Sequence, residues 1–421
     1  MAERPSLVKN IVILGGSYAG TSTAHYLLKH VIPKLPDSSS YQVVLISASS
    51  EIFCRPTAPR ALVSDAMFPQ EKLFVSINGA FGQYPETSFR FVHGSATKVN
   101  LETRTAVVSR AQADGEEIIS FHALVVATGA STPSPLHSLN TSSEALRSYW
   151  GTFREALPRA DTIVIAGGGP AGVETAGELG EFLNGRHTRG LFGFGSQSGS
   201  PKVSITLITS APRILPVLRA SIAEQAVTYL AEVGVTVLTN TKVAGVSPGD
   251  AGTTNVASQG VLMLEDGQKL HASLYIPATG TRPNTDFLDA SLLGADGRVL
   301  TNPSTLRVDA AGPRIYAIGD AGSYSRPAVH LILSAVPVLA ANIKRDLLLA
   351  AGMPHAEVGE DKEFVEDTSE SQLVPIGRSK GVGAMMGYRL PSFLVWLIKG
   401  RDYWLWTTAR LWSGRQWAKE S

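Results

Sequence analysis

A short apolar run that breaks into glycines and restarts as a helix occurs twice in this chain. No other feature constrains the fold as much. The first copy is Ile11-Val12-Ile13-Leu14, then Gly15-Gly16-Ser17-Tyr18-Ala19-Gly20, then the run 21–28. Four apolar residues suit a strand buried on both faces, and the residues after Gly20 suit a helix. The glycines let the backbone turn sharply and bring a helix N-terminus close to a pyrophosphate, where unpaired N–H groups and the helix dipole favour negative charge. This copy reads G-x-S-x-x-G, so a hydroxymethyl group stands at the position of closest approach. Taken alone it is equally an ordinary strand–turn–helix corner. The second copy runs from the strand 162–166 into Gly167-Gly168-Gly169-Pro170-Ala171-Gly172 and a helix over 173–183, a complete G-x-G-x-x-G.

Around these turns the chain reads as alternating strands and helices. Residues 41–46 suit a second parallel strand, and Ser47 stands at its end, where an acid commonly holds ribose hydroxyls. A Pro- and Arg-containing segment, 53–65, precedes a strand at 89–96 and a hairpin turning near Asp114-Gly115. The buried strand 123–126 ends in Ala127-Thr128-Gly129, and the strand 274–277 ends in Ala278-Thr279-Gly280. Residues 185–202 read as a Gly/Ser/Arg-rich surface loop. Late in the chain Gly319-Asp320 leads towards a long apolar helix over 327–349.

In this order, two glycine turns, two Ala-Thr-Gly strand ends and one Gly-Asp resemble the two-dinucleotide-binding-domain flavoproteins of the pyridine-nucleotide oxidoreductases. The likeness covers roughly residues 10–349. It implies an α/β fold of two Rossmann-like domains, for FAD and NAD(P)H, the second inserted in the first, plus a small C-terminal segment. The expected boundaries are 1–130 and 283–355 for the FAD domain, 131–282 for the NAD(P)H domain, and 356–421 for the C-terminal part. The resemblance assigns Gly15, Ser17, Tyr18, Ala19, Gly20, Ser47, Arg60, Ala96, Thr128, Gly129, Gly319 and Asp320 to FAD. It assigns Gly167, Gly169, Pro170, Ala171, Gly172, Glu174, Arg213, Thr279 and Gly280 to NAD(P)H. Asp320 would accept a hydrogen bond from the flavin ribityl chain, and its capping role before Ala321 fits the same geometry. Arg60 would meet flavin phosphate or ribose.

The segments 373–383 and 399–402 (Lys399-Gly400-Arg401-Asp402) narrow the resemblance to apoptosis-inducing-factor-like proteins of the ferroptosis-suppressor type, with type II NADH dehydrogenases as more distant cousins. That group implies hydride transfer from NAD(P)H to flavin and onward reduction of a quinone. A pathway-specific flavoenzyme acting on a hydrophobic small metabolite, and a redox-signalling flavoprotein with negligible turnover, stand as alternatives. The catalytic candidates are Glu174, equally an acid complementing the helix dipole, and His330, equally a packing histidine. With one cysteine no disulfide-reducing pair exists, and Cys54 is expected as a buried structural thiol. After the strand 203–208 comes Thr209-Ser210-Ala211-Pro212-Arg213, with no acid to repel a 2′-phosphate, so NADPH should be tolerated alongside NADH.

With 37 Lys and Arg against 36 Asp and Glu, the chain carries no electrostatic footprint for nucleic acid. Its first residues lack the apolar stretch of a signal peptide, residue 2 is not the glycine of a myristoylation site, and no apolar run matches a membrane span. A cytoplasmic, non-secreted protein is expected, and no metal site is singled out. Five of the six tryptophans, Trp396, Trp404, Trp406, Trp412 and Trp417, lie among Lys and Arg in the last 26 residues. Such a segment, 393–421, either meets a membrane interface or packs on the flavin domain, walls the quinone pocket or forms a dimer contact.

Overall fold

The computed structural model describes residues 8–111, 115–186 and 201–420. The tip of the expected hairpin at Asp114 and most of the 185–202 loop lie outside the described residues. In the first unit the chain forms β1 (Lys9–Leu14), α1 (Tyr18–Tyr26), β2 (Tyr41–Ser47), β3 (Phe89–Asn100), β4 (Thr105–Arg110), β5 (Glu116–Ser120) and β6 (Ala123–Val126). The second unit comprises β7 (Thr162–Ala166), α2 (Pro170–Asn184), β8 (Ser204–Ile208), α3 (Ala220–Ala231), β9 (Val235–Leu238), β10 (Val243–Ser247), β11 (Gly260–Leu264), β12 (Lys269–Ala272) and β13 (Leu274–Pro277). The chain then returns to the first unit through β14 (Ile315–Ala317) and α4 (Val329–Ala350). It closes with β15 (Gln372–Ile376), β16 (Lys380–Met385) and α5 (Leu405–Trp412).

The first sheet has seven strands in the order β14-β6-β1-β2-β3-β4-β5. Its first five strands are parallel, and β3 carries a register shift near Ala96 before pairing antiparallel with β4. The second sheet, β9-β8-β7-β13, is parallel throughout, and β10–β12 form a separate antiparallel sheet over it. Ile11–Leu14 and Ile163–Ala166 are buried on both faces, because helices and hairpins cover both sides. In each unit the glycine-turn strand has its two neighbours on opposite sides, β6 and β2 around β1, β13 and β8 around β7. That is the topological switch point, and the crevice for a ligand opens at the carboxyl ends of these strands. The links between the units run side by side, with Ala130–Ser131 paired antiparallel to Arg282–Pro283.

The C-terminal part packs against both units. Gly177 of α2 brings its backbone so near β15 that a Cβ there would lie 2.9 Å from the Ile376 Cα. Beyond α5, helix α1 and the turn following it hold the chain end through basic side chains. His25 Nε2 donates to the Trp412 carbonyl (2.8 Å), Lys29 to Gly414, His30 to Trp417 (2.8 Å), and Lys34 pairs with Glu420. Burial lowers His25 to about 4, so its neutral ring also accepts from the Tyr84 hydroxyl at 3.0 Å. No helix among the described residues is long and apolar enough to cross a membrane.

Candidate active site

Both glycine turns open into one cleft of about 960 Å³. At the first, Gly15 has φ +116° and a Cβ there would sit 2.1 Å from the Ala127 carbonyl oxygen. At the second, Gly167 has φ +130° and the same collision, at 2.1 Å, with Ala278. These two glycines let β1 and β7 turn tightly against the Ala-Thr-Gly strand ends. Gly20 and Gly172 allow each helix to close on its own turn, for their Cβ atoms would lie 1.7 and 2.0 Å from the carbonyls of Gly15 and Gly167. Gly169 differs, because a Cβ there meets nothing within 4 Å. Packing does not demand that glycine. It leaves open space before the N-terminus of α2, where backbone donors are free for an anion, and this fits a dinucleotide pyrophosphate. In the first turn Ser17 stands at the matching place as the N-cap of α1, exposed and making no side-chain capping bond.

Gly319 has φ +80°, and a Cβ there would lie 3.0 Å from the Ala19 Cβ. Asp320 follows, lines the cleft and pairs at 3.4 Å with Arg55, which also donates to the Ala130 carbonyl (3.3 Å). The start of α4 supplies Ala328, Val329 and Ile332 to the same wall. Its N-cap, Ala328, offers no side-chain bond to the first turn.

Another part of the cleft lining is built by α2 and the C-terminal segment. Glu174 is 3 % exposed and pairs with Lys399, whose ammonium also donates to the Leu373 carbonyl (3.0 Å). Burial pushes the Glu174 carboxyl up to about 7, and the Lys399 charge opposes the rise. One helical turn on, Glu178 accepts from Arg60 at 2.8 and 3.0 Å and from the Tyr403 hydroxyl at 2.9 Å. Trp404 and Lys399 both line the cleft. So does His137, which shares a hydrogen bond of 2.9 Å with the Thr175 hydroxyl and is lowered by burial to about 4.

Of the residues expected for FAD, Gly15, Ser17, Tyr18, Ala19, Ser47, Ala96, Thr128, Gly129, Gly319 and Asp320 line this cleft. Gly20 lies beneath the turn. Arg60 is placed elsewhere: it is buried in the ion pair with Glu178, while Arg55, five residues earlier, reaches the cleft. Of the residues expected for NAD(P)H, Gly169, Pro170, Ala171, Glu174 and Gly280 line it, and Gly167 and Gly172 shape the turn from behind. Thr279 and Arg213 are exposed away from the cleft lining, with Arg213 donating to the Pro216 carbonyl (3.2 Å). His330, one residue into α4, is also exposed and outside the lining. Cys54 is fully buried against the Tyr18 hydroxyl (3.3 Å), and burial raises its thiol to about 12, as suits a structural thiol. Sequence reasoning did not place Arg55 or His137. Lys399 was singled out only within the tail segment 399–402, and Trp404 only among the tail tryptophans whose rings could pack on the protein or wall an acceptor pocket.

Comparison with known proteins agrees with this geometry. The model of the pyridine nucleotide-disulphide oxidoreductase family matches residues 9–336. Oxidoreductase phnG of Penicillium herquei is 59 % identical over the full length of both chains. Ferroptosis suppressor protein 1 of Xenopus tropicalis is 24 % identical, covering 93 % of this chain and 92 % of its own. Among solved structures, the sulfide:quinone oxidoreductase of Aquifex aeolicus superposes with a TM-score of 0.68 at 16 % identity, over 96 % of this chain and 92 % of its own, a likeness of fold.

Proposed function

The chain belongs to the pyridine nucleotide-disulphide oxidoreductase family, whose members work with FAD and NAD(P)H, and from that premise we propose that it reduces a small hydrophobic metabolite at the expense of NAD(P)H. One observation carries the reading. A single cleft is lined by the Gly15 turn and Asp320, by the Gly169 turn, and by Leu139 and Trp404. Bound FAD supplies two-electron chemistry between reduced nicotinamide and an acceptor.

The chain's own residues do the positioning. The open N-terminus of α1 and the Arg55–Asp320 pair would hold the flavin's diphosphate and ribityl chain. The open space at Gly169 would take the NAD(P)H pyrophosphate, and the buried Glu174–Lys399 pair would form part of the wall of the site. Disulfide chemistry finds no support, since the lone thiol is buried and protonated. No acid follows β8, and we expect NADPH to be accepted as well as NADH.

A lipid quinone is the second reading. It is favoured by Phe393, Leu397 and Trp406, exposed at 64, 47 and 58 % near the exposed Arg401 and Arg410. The deciding experiment is an absorbance spectrum of the purified protein before and after anaerobic NADPH or NADH, followed by a panel of quinones and hydrophobic carbonyl compounds. Bleaching of the flavin band and its return with an acceptor is the expected result. Colourless protein that takes up no added FAD would end the proposal.

A further inference from the structure

The amino ends of β1, β6 and β14 lie at the edge of the first sheet away from the cleft, and positive charge gathers there without an acid to meet it. Lys9 begins β1, while His122 and Arg314 immediately precede β6 and β14. Arg104, just before β4, reaches the same edge. Both arginines have left-handed backbone, with φ of +52° at Arg104 and +62° at Arg314. Their guanidinium groups meet on one atom: Arg104 Nη2 and Arg314 Nε donate to the His122 carbonyl at 2.7 and 2.8 Å. Arg104 spends its other donors on the carbonyls of Phe121 (3.3 Å) and Pro313 (3.1 Å). Arg314 keeps both terminal nitrogens unbonded among the described residues. Lys9 adds a third charge, its ammonium 4.9 Å from the centre of the Tyr41 ring. Partial burial, then the charges of Arg314, Lys9 and Arg104, hold the His122 ring down to about 4.

The acids of this region are engaged elsewhere. Asp346 accepts from the Tyr316 hydroxyl at 2.5 Å, and Arg307 holds Asp346 and Asp361 at 2.8 and 2.7 Å. Among the described residues Lys9, Arg104 and Arg314 therefore make no ion pair. Two buried polar atoms beside them also lack a partner there: Nε2 of His122 and the hydroxyl of Tyr41, a residue 1 % exposed whose ring stands edge-on to His122 at 6.0 Å. None of these residues lines the cleft, so neither dinucleotide accounts for them. We propose that this edge is a second anion site, for a small oxyanion of the phosphate class. The free nitrogens of Arg314 form the planar fork that matches two phosphate oxygens, Lys9 adds a point charge, and Tyr41 and His122 are neutral donors. A bound phosphate would also offset the repulsion of two guanidinium groups held on one carbonyl.

The test titrates inorganic phosphate into the FAD-loaded protein, with sodium chloride at matched ionic strength as control, and reads binding heat and melting temperature. At ten times its Kd, phosphate should raise the melting temperature by about 2–4 °C beyond chloride. Arg314→Gln should weaken phosphate about tenfold. Lys9→Gln, which removes no side-chain hydrogen bond, should weaken it about threefold. Arg314→Gln also gives up the bond to the His122 carbonyl, so the quantity compared is the increment phosphate adds to each protein. Flavin content should be the same in all three. A phosphate increment kept in full by both variants would belong to the glycine turns of the cleft and would overturn the site. An increment no larger than that of chloride would do the same. No reading depends on turnover, so either failure leaves the oxidoreductase reading standing.

Discussion

Glu174 and Lys399 meet across 225 positions of sequence, and burial rather than pairing decides the carboxyl's proton affinity. A raised carboxyl value means the folded state holds the proton more tightly than the unfolded chain. Its contribution to stability is therefore lost as pH climbs from about 4.3, the unfolded value, to about 7. Replacing Lys399 by Met leaves an unpaired buried carboxylate at pH 8. Urea unfolding should show a loss of about 3 kcal/mol there, shrinking at pH 5.5 as the carboxyl takes up its proton. An equal loss at both pH values would contradict the pairing. Elsewhere in the cleft lining, Asp320→Ala should lower the ratio of flavin to protein absorbance after gel filtration. Identical ratios for the two proteins would remove Asp320 from the flavin site. The same scale shows where the sequence was mute. Arg60 lies in a segment that suggests a phosphate ligand, yet its partner Glu178 is 118 positions away, and no local pattern announces such a pair.

At the scale of elements, the two strand–turn–helix corners were legible because their causes are local. Strands buried on both faces read as unbroken apolar runs, and the turns need glycine wherever backbone meets backbone. The four glycines that face a carbonyl and the one that faces open space predict opposite phenotypes. Gly172→Ala should cost about 1–3 kcal/mol of stability through overpacking, since its Cβ would fall 2.0 Å from a carbonyl oxygen. Gly169→Asp should leave the melting temperature and flavin spectrum in place while weakening NAD(P)H binding more than a hundredfold, through carboxylate–phosphate repulsion at the helix N-terminus. Isothermal titration of the flavin-loaded variant checks this, and unchanged NADPH affinity would detach that turn from the nucleotide. The wall of the cleft supplied by the C-terminal segment was not legible in this way. Lys399 and Trp404 reach it from a π-helical turn and two left-handed residues, conformations that propensity and periodicity do not signal.

For the molecule as a whole, the aromatic tail divides. Trp412 and Trp417 are buried at 1 and 6 %, the first edge-on to Tyr18 at 4.7 Å and the second to Tyr26 at 5.5 Å, so packing accounts for them. Phe393, Leu397 and Trp406 remain exposed. Serine at all three should reduce co-sedimentation with anionic vesicles several-fold and shift the melting temperature little, because exposed side chains contribute little to the fold. Undiminished sedimentation would show that this surface does not meet lipid. The clasp of α1 and its following turn on residues 412–420 has a further bearing on how the protein folds. The cleft joins Gly15 and Ser17 to Gly319 and Asp320, and its remaining wall and rear brace come from residues 399–417, with the clasp closing over 387 positions of sequence. Contacts closed over so long a stretch of chain are slow to form, so completion of the cleft is a late step of folding.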